Sequence, residues 1–345
     1  MSTSEYEYAA MRRALVLAAT PDVPLGPNPR VGCVLLAPDG TTIAEGHHRG
    51  AGTPHAEAET LAQAGERARG ATAVVTLEPC DHTGRTGPCS RRLVEAGVAR
   101  VVFAQADPNP VAAGGAETLR AAGVDVDAGL LADESRELNR VWSIAIERQR
   151  PFVTWKLATS LDGRSAAADG TSRWVSSRAA RLDTHRLRAV ADTMLIGANT
   201  VAVDDPELTV RDAEDRPVAV QPLRAVMGLR DLPADRRVFN DRAETIRLLT
   251  RDPAEALAAL WERERRHVFL EGGPTLAAAF LREGYVDEIV AYVAPLLLGA
   301  GLSSVADLGI TTIADALRPR VTDVTVLEPT EYGEEPNIRL TMEMP

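Results

Sequence analysis

The chain has 345 residues, 45% of them apolar and 25% charged, the proportions of an ordinary globular protein of about two domains. Its net charge of -11 argues against nonspecific nucleic-acid binding, which depends on neutralising phosphates, but allows a small phosphorylated ligand held by a few local arginines. Three cysteines offer no disulfide framework and no apolar run approaches the length of a membrane span, so the expectation is a soluble cytoplasmic protein.

Arg12-Arg13 and the short apolar run after them resemble an export signal, but the run is too short and Glu5 and Glu7 make the start acidic. Met11, Leu15 and Ala18 recur at helical spacing and predict a first amphipathic helix. Gly26-Pro27-Asn28-Pro29 reads as a loop. The apolar run 31–37, a turn at Asp39-Gly40 and the run 41–45 predict a hairpin that exits at Gly46-His47-His48, with Cys33 as a small core residue. Thr53 and Pro54 suit the N-cap and first position of a helix carrying His55 and Leu61. A buried strand over 73–77 then delivers Glu78-Pro79-Cys80, and a helix through Leu93 closes at Gly97. Further strands at 101–104 and 124–126 flank a short helix over 117–122, and this alternation implies a mostly parallel sheet covered on both faces.

The pattern resets near residues 146–151, which divides the chain into domains 1–148 and 149–345. The second half alternates too. Strands are expected at 152–157, 193–196, 225–227, 246–249, 267–270, 286–293 and 322–327, and helices over 177–189, 254–263 and from Gly273-Pro274 onward.

One set of residues carries specific chemistry. His55, Cys80 and Cys89 are zinc-ligand types, and three protein ligands leave a fourth position for water. Glu57, two residues after His55, is placed to move protons. His-x-Glu followed by Pro-Cys and a second Cys is the signature of zinc deaminases, except that eight residues separate Cys80 from Cys89 where two are usual. The alternative is a structural zinc with a fourth protein ligand, for which Cys33 and His82 are candidates.

The first half thus resembles the cytidine/deoxycytidylate deaminase superfamily. More narrowly, it is similar to the deaminase domain of bacterial bifunctional riboflavin-biosynthesis deaminase/reductases. The narrower likeness rests on Pro27-Asn28-Pro29-Arg30-Val31-Gly32, Gly46-His47-His48, Pro54-His55-Ala56-Glu57 and the long segment between the cysteines, with His82, Gly84 and Thr86. It implies a three-layer α/β/α domain in which Asn28, His48, His82 and Arg85 hold the pyrimidine and its ribose phosphate. Arg85 stands where that family usually has Lys, which keeps the charge but makes it a planar fork.

In the second half Lys156 to Arg164, Ser172-Arg173-Trp174, Asp204-Asp205-Pro206-Glu207-Leu208-Thr209-Val210-Arg211 and Glu271-Gly272-Gly273-Pro274-Thr275-Leu276 resemble the reductase domain of the same family. The resemblance implies a dihydrofolate-reductase-like α/β domain. NADPH would meet Ala158, Trp174, Thr200, Asp204, Gly273, Pro274, Thr275 and Leu276, and substrate would meet Ser172, Arg188, Leu208, Arg211 and Glu271. Lys156, Asp204 and Glu271 have the chemistry for proton transfer at the sugar.

The expectation is therefore a two-domain α/β enzyme with zinc and NADPH as cofactors. It would deaminate a phosphorylated ribosylaminopyrimidine and then reduce its ribosyl group to ribityl. By the same resemblance it would be a homo-oligomer, dimer or tetramer, with no nucleic-acid or membrane partner. The competing expectations are a nucleotide or transfer-RNA deaminase fused to a reductase of other specificity, and a zinc-stabilised binding protein. Against the last, a pure binding role has no need of Glu57.

Overall fold

The computed structural model describes residues 4–21, 23, 26–83, 87–172, 175–330 and 333–345. Arg85 and Trp174, two of the expected site residues, lie outside them. The chain forms two compact units, Met1–Gln149 and Arg150–Pro345.

The first unit runs α1 (Glu5–Ala18), β1 (Gly32–Leu36), β2 (Thr42–His47), α2 (Ala56–Ala64), β3 (Thr72–Leu77), α3 (Cys89–Glu95), β4 (Arg100–Gln105), α4 (Gly115–Ala121), β5 (Asp125–Ala128), α5 (Ala132–Leu138) and α6 (Arg140–Arg148). Its sheet has the order β2-β1-β3-β4-β5. β3, β4 and β5 are parallel, while β1 is antiparallel to both its neighbours, so the sheet is mixed rather than mostly parallel. The hairpin at Asp39-Gly40 explains this, because a tight turn can only join antiparallel strands.

Successive strand residues point to opposite faces, and the core divides accordingly. Cys33, Leu35, Val75 and Val101 pack on one side with Ala56, Leu93, Leu119 and Trp142; Val34, Leu36, Val74 and Val102 pack on the other with Met11 and Ala14. A Cβ on Gly32 would lie 2.0 Å from the Ala14 carbonyl, so glycine is what lets α1 press onto β1. Ser4 and Glu7 close a capping box at the start of α1, and Arg100 ties Glu7 to the sheet at 2.6 Å.

The second unit runs β6 (Phe152–Ser160), β7 (Arg164–Ala166), α7 (Arg178–Ala189), β8 (Thr193–Gly197), α8 (Ala198–Asp204), β9 (Leu223–Met227), β10 (Thr245–Leu248), α9 (Pro253–Glu262), β11 (His267–Leu270), α10 (Pro274–Arg282), β12 (Glu288–Ala294), β13 (Leu302–Ser303), β14 (Arg320–Leu327) and β15 (Asn337–Glu343). Eight strands form the sheet β10-β9-β8-β11-β6-β12-β15-β14. The first six are parallel; β15 runs antiparallel to β12, and β14 antiparallel to β15. Leu257 and Leu260 of α9 and Phe280 and Leu281 of α10 cover one face; Ala198 and Val201 of α8 and Ala180 of α7 cover the other. The carboxyl ends of the parallel strands share one edge, the usual ligand edge of an open α/β sheet.

A zinc corner and a charged reductase pocket

In the first unit the helix expected from Thr53 begins later, at Ala56, with His55 as N-cap in an extended conformation. Thr53 instead donates to the Gly50 carbonyl at 2.7 Å and closes the preceding turn. The shift resolves how two residues only two apart can serve one site. His55 sits before the helix and Glu57 in its first turn, so the ordinary divergence of such a pair on a helix does not apply.

Cys80 follows β3, and Cys89 opens α3. Their sulfurs lie 3.5 and 3.3 Å from His55 Nδ1, and the three donor atoms lie within 4.8 Å of one another. Tetrahedral zinc with ordinary bond lengths would hold sulfur and nitrogen roughly 3.5 Å apart, so the donor set fits that ion. The Cys89 N–H donates to Cys80 Sγ at 3.5 Å, and hydrogen bonds from Cys89 and His55 bring the Cys80 thiol down to about 4. Glu57 is buried beside them, 4% exposed, and burial together with the Cys80 charge pushes its carboxyl up to about 7. Cys33 does not join the group; it lies in β1 within the core, where burial pushes its thiol up.

Of the expected substrate residues, Asn28 donates through Nδ2 to His48 Nε2 at 2.9 Å, while His48 Nδ1 donates to the Pro54 carbonyl at 3.0 Å. This fixes one neutral tautomer, and burial lowers the pKa of the ring further. The His48 and His55 rings meet edge to face, 5.5 Å between centroids. His82 is half-buried, and its Nδ1 has no hydrogen-bond partner among the described residues.

Three supporting groups escaped the sequence reading. Glu78 accepts from the N–H groups of Asp107, Gly114 and Ala116 at 3.0–3.3 Å, tying the loop before α4 to the strand that carries Cys80. Gly115 lies so close to Pro79 that a Cβ would sit 1.7 Å from its carbonyl oxygen. Asn139, at the break between α5 and α6, and Trp142 of α6, helices the sequence reading passed over, hold the Asn28 loop through Arg30 at 2.8 and 2.9 Å and through the Pro27 carbonyl at 3.0 Å. The sequence separations of up to 115 residues explain why no local signal betrays them.

In the second unit Lys156 lies on β6, Glu271 just past β11, Arg188 on α7 and Arg211 in an irregular segment. Arg188 grips Glu271 with two parallel hydrogen bonds, Nε–Oε1 at 2.5 Å and Nη2–Oε2 at 2.7 Å. This pairing holds the Glu271 carboxyl below its usual range despite its burial. Burial lowers the pKa of Lys156, whose Nζ stands 5.8 Å from the centre of the Tyr292 ring. Arg211 bonds Glu207 at 2.5 Å and Asp215 at 3.0 Å. Leu208 is buried with a φ of 54°, a left-handed conformation that costs a branched residue free energy.

Ala158 lies two residues beyond Lys156 and so on the same sheet face. Thr200 is half-buried within α8, Asp204 ends that helix exposed, and Ser172 is exposed. Gly273 is the N-cap of α10, with Pro274, Thr275 and Leu276 in its first turn. A Cβ on Gly273 would meet nothing within 4 Å, so space lies open before the start of α10, whose dipole favours an anion such as a pyrophosphate.

Fold and site together define a zinc-dependent deaminase unit followed by an α/β reductase unit. Residues 4–105 match the cytidine and deoxycytidylate deaminase zinc-binding region, and residues 151–331 match the RibD C-terminal domain. The riboflavin biosynthesis protein RibD of Mycobacterium tuberculosis is 51% identical over 296 residues, covering 85% of this chain and 86% of that protein. That of Escherichia coli is 40% identical over 340 residues, covering 89% and 92%. Among solved structures, Acinetobacter baumannii RibD superposes with a TM-score of 0.88 at 36% identity, covering 99% of both chains. The Thermotoga maritima diaminohydroxyphosphoribosylaminopyrimidine deaminase/5-amino-6-(5-phosphoribosylamino)uracil reductase gives 0.82 at 31% identity, again over 99% of both. The chain belongs to the RibD family of bifunctional riboflavin-biosynthesis deaminase/reductases. No helix among the described residues is long and apolar enough to cross a membrane.

Proposed function

We propose that the chain catalyses two consecutive steps of riboflavin biosynthesis: hydrolytic deamination of a diaminopyrimidine riboside phosphate, then NADPH-dependent reduction of its ribosyl group to ribityl. The observation that carries the first step is the His55/Cys80/Cys89 group with a buried carboxylate, Glu57, that is not one of its donors. Zinc held by His55, Cys80 and Cys89 would lower the pKa of a bound water to about 7, low enough for attack at neutral pH. Glu57 takes a proton from the attacking water and delivers it to the departing amine, so that ammonia leaves. By the family resemblance, Asn28, His48, His82 and Arg85 are the residues assigned to hold the pyrimidine and its ribose phosphate.

In the second unit Arg188 and Arg211 take the ribose phosphate, Arg188 with its orientation set by Glu271. Ser172 and Leu208 complete the substrate side. A ring-closed aminoriboside cannot accept hydride at its anomeric carbon, so the sugar must first open, which needs a proton donor. Lys156 suits that task better than Glu271, whose carboxylate is held ionised by Arg188; Asp204 is the second candidate. NADPH would supply the hydride, and the family resemblance assigns Gly273, Pro274, Thr275, Leu276, Ala158, Trp174, Thr200 and Asp204 to hold it.

The test supplies the diaminopyrimidine riboside phosphate and follows ammonia release, then NADPH oxidation. Both should occur in that order. Ammonia without NADPH oxidation would remove the second activity, and unchanged zinc content in His55→Ala would remove the metal assignment.

A cytoplasmic homo-oligomer is part of the same proposal. On β14 and β15 the pairs Val321–Met342, Val324–Leu340 and Val326–Ile338 lie side by side, and the three valines are 52–60% exposed. An apolar sheet edge of this kind is ordinarily covered, here by a second copy. Sedimentation should show an oligomer that Val324→Glu dissociates; a monomeric parent would refute it.

A further inference from the structure

The segment 208–211 carries two of the reductase's proposed substrate residues, yet it belongs to no strand or helix. Leu208, Thr209 and Val210 are buried, so their backbone groups need partners that regular structure does not supply. Side chains from elsewhere provide most of them, beside the Val218 N–H, which donates to the Val210 carbonyl at 3.2 Å. Arg188 Nη1 donates to the Thr209 carbonyl at 3.0 Å. Gln221 accepts from the Val210 N–H at 2.7 Å and donates to the Val210 carbonyl at 2.9 Å, imitating a neighbouring strand. The Arg211 N–H donates to His185 Nδ1 at 3.1 Å.

His185 lies on α7, three residues before Arg188, on the same helix face. The two residues therefore form one clamp: Arg188 takes the carbonyl of Thr209, and His185 takes the amide of Arg211. Arg211 in turn places its Nε on the Thr209 hydroxyl at 3.2 Å. Both guanidinium groups thus flank Thr209, and the His185 bond sets where the second arginine leaves the backbone.

We propose that His185 is a positioning residue of the reductase: by accepting the Arg211 N–H it aligns Arg211 with Arg188 on the substrate's phosphate. The inference rests on the phosphate role proposed above for those two arginines. It needs the ring neutral, since an imidazolium has no lone pair to offer. Burial and the positive charge of Arg188 satisfy this, bringing His185 down to about 4.

The test compares His185→Leu, which removes the acceptor, with His185→Asn, which retains an oxygen acceptor near the position of Nδ1. Reductase kinetics are measured on the phosphorylated substrate and on its dephosphorylated analogue, with deaminase turnover of the same chain as a check on folding. In His185→Leu, KM for the phosphorylated substrate should rise about tenfold, what one ordinary hydrogen bond accounts for, with kcat little changed. KM for the dephosphorylated analogue should not move, and His185→Asn should recover most of the loss. Equal losses on both substrates, an unchanged KM, or no recovery in His185→Asn would overturn the proposal. If the parent enzyme does not distinguish the two substrates, the phosphate role of Arg188 and Arg211 fails instead.

Discussion

The two halves of the chain build their sites on opposite plans. In the first unit the reactive groups converge on a point: two sulfurs and a ring nitrogen within 4.8 Å, with Glu57 buried beside them. In the second unit the reactive groups satisfy one another. Arg188 holds Glu271, Arg211 holds Glu207, and Lys156 stands partly buried near both Glu271 and the Tyr292 ring. A metal corner needs an external cation to be complete, whereas a pocket of paired charges is internally balanced and must offer its arginines to an anion while retaining their carboxylates. Damage should therefore be local and chemical in the first unit, and energetic as well as functional in the second.

The largest effect separating the plans is expected from Glu57→Gln. Deaminase turnover should fall by about a hundred- to ten-thousand-fold, the range of a lost general acid/base, while zinc content and reductase turnover stay at parent levels. Metal analysis beside the two assays checks this, and a loss of zinc would make Glu57 a ligand rather than a proton carrier.

Glu271→Gln tests the paired pocket. It removes the charge opposite a largely buried Arg188, whose side chain is 16% exposed, and such breaks cost about 3–5 kcal/mol. Denaturant unfolding should show the reductase unit weakened and its turnover reduced, with the deaminase unit's transition unmoved. Undiminished stability would mean the pair contributes nothing to the fold.

The smallest effect is expected from Cys33→Ala. Cys33 is a core residue outside the metal group, so the variant should lose about 1 kcal/mol of stability and no zinc. Zinc loss in this variant would reopen the possibility of a four-ligand structural site.

Legibility in the sequence follows the same contrast. His55, Glu57, Cys80 and Cys89 stand out because few residue types bind zinc and they recur at short, recognisable spacings. Arg188 has no such signal. Read alone it is a solvated helix charge, and only the return of β11 beside β8 brings Glu271 to it. The hairpin at Asp39-Gly40, the helix capped by Ser177 and the strand His267–Leu270 all follow from local turn and periodicity signals. Helices α5 and α6 do not. The left-handed residues that bound them are Leu131 and Gln149, with φ of 55° and 52°, rather than the glycines that such positions favour. The short helix α8 and the last strand β15 likewise lack strong punctuation.

By itself, then, the sequence determined the residue chemistry: a thiol, imidazole and carboxylate set for metal-assisted deamination, an α/β alternation, and a family resemblance spanning both halves. Tertiary structure decided which groups meet. It set His55 before its helix rather than within it, tied Glu78 to a loop some thirty residues on, and gave the amide of Arg211 to His185. Composition and spacing report on neighbours along the chain. Hydrogen bonds and charge pairs form between neighbours in space, and those are chosen only when the sheet orders its strands.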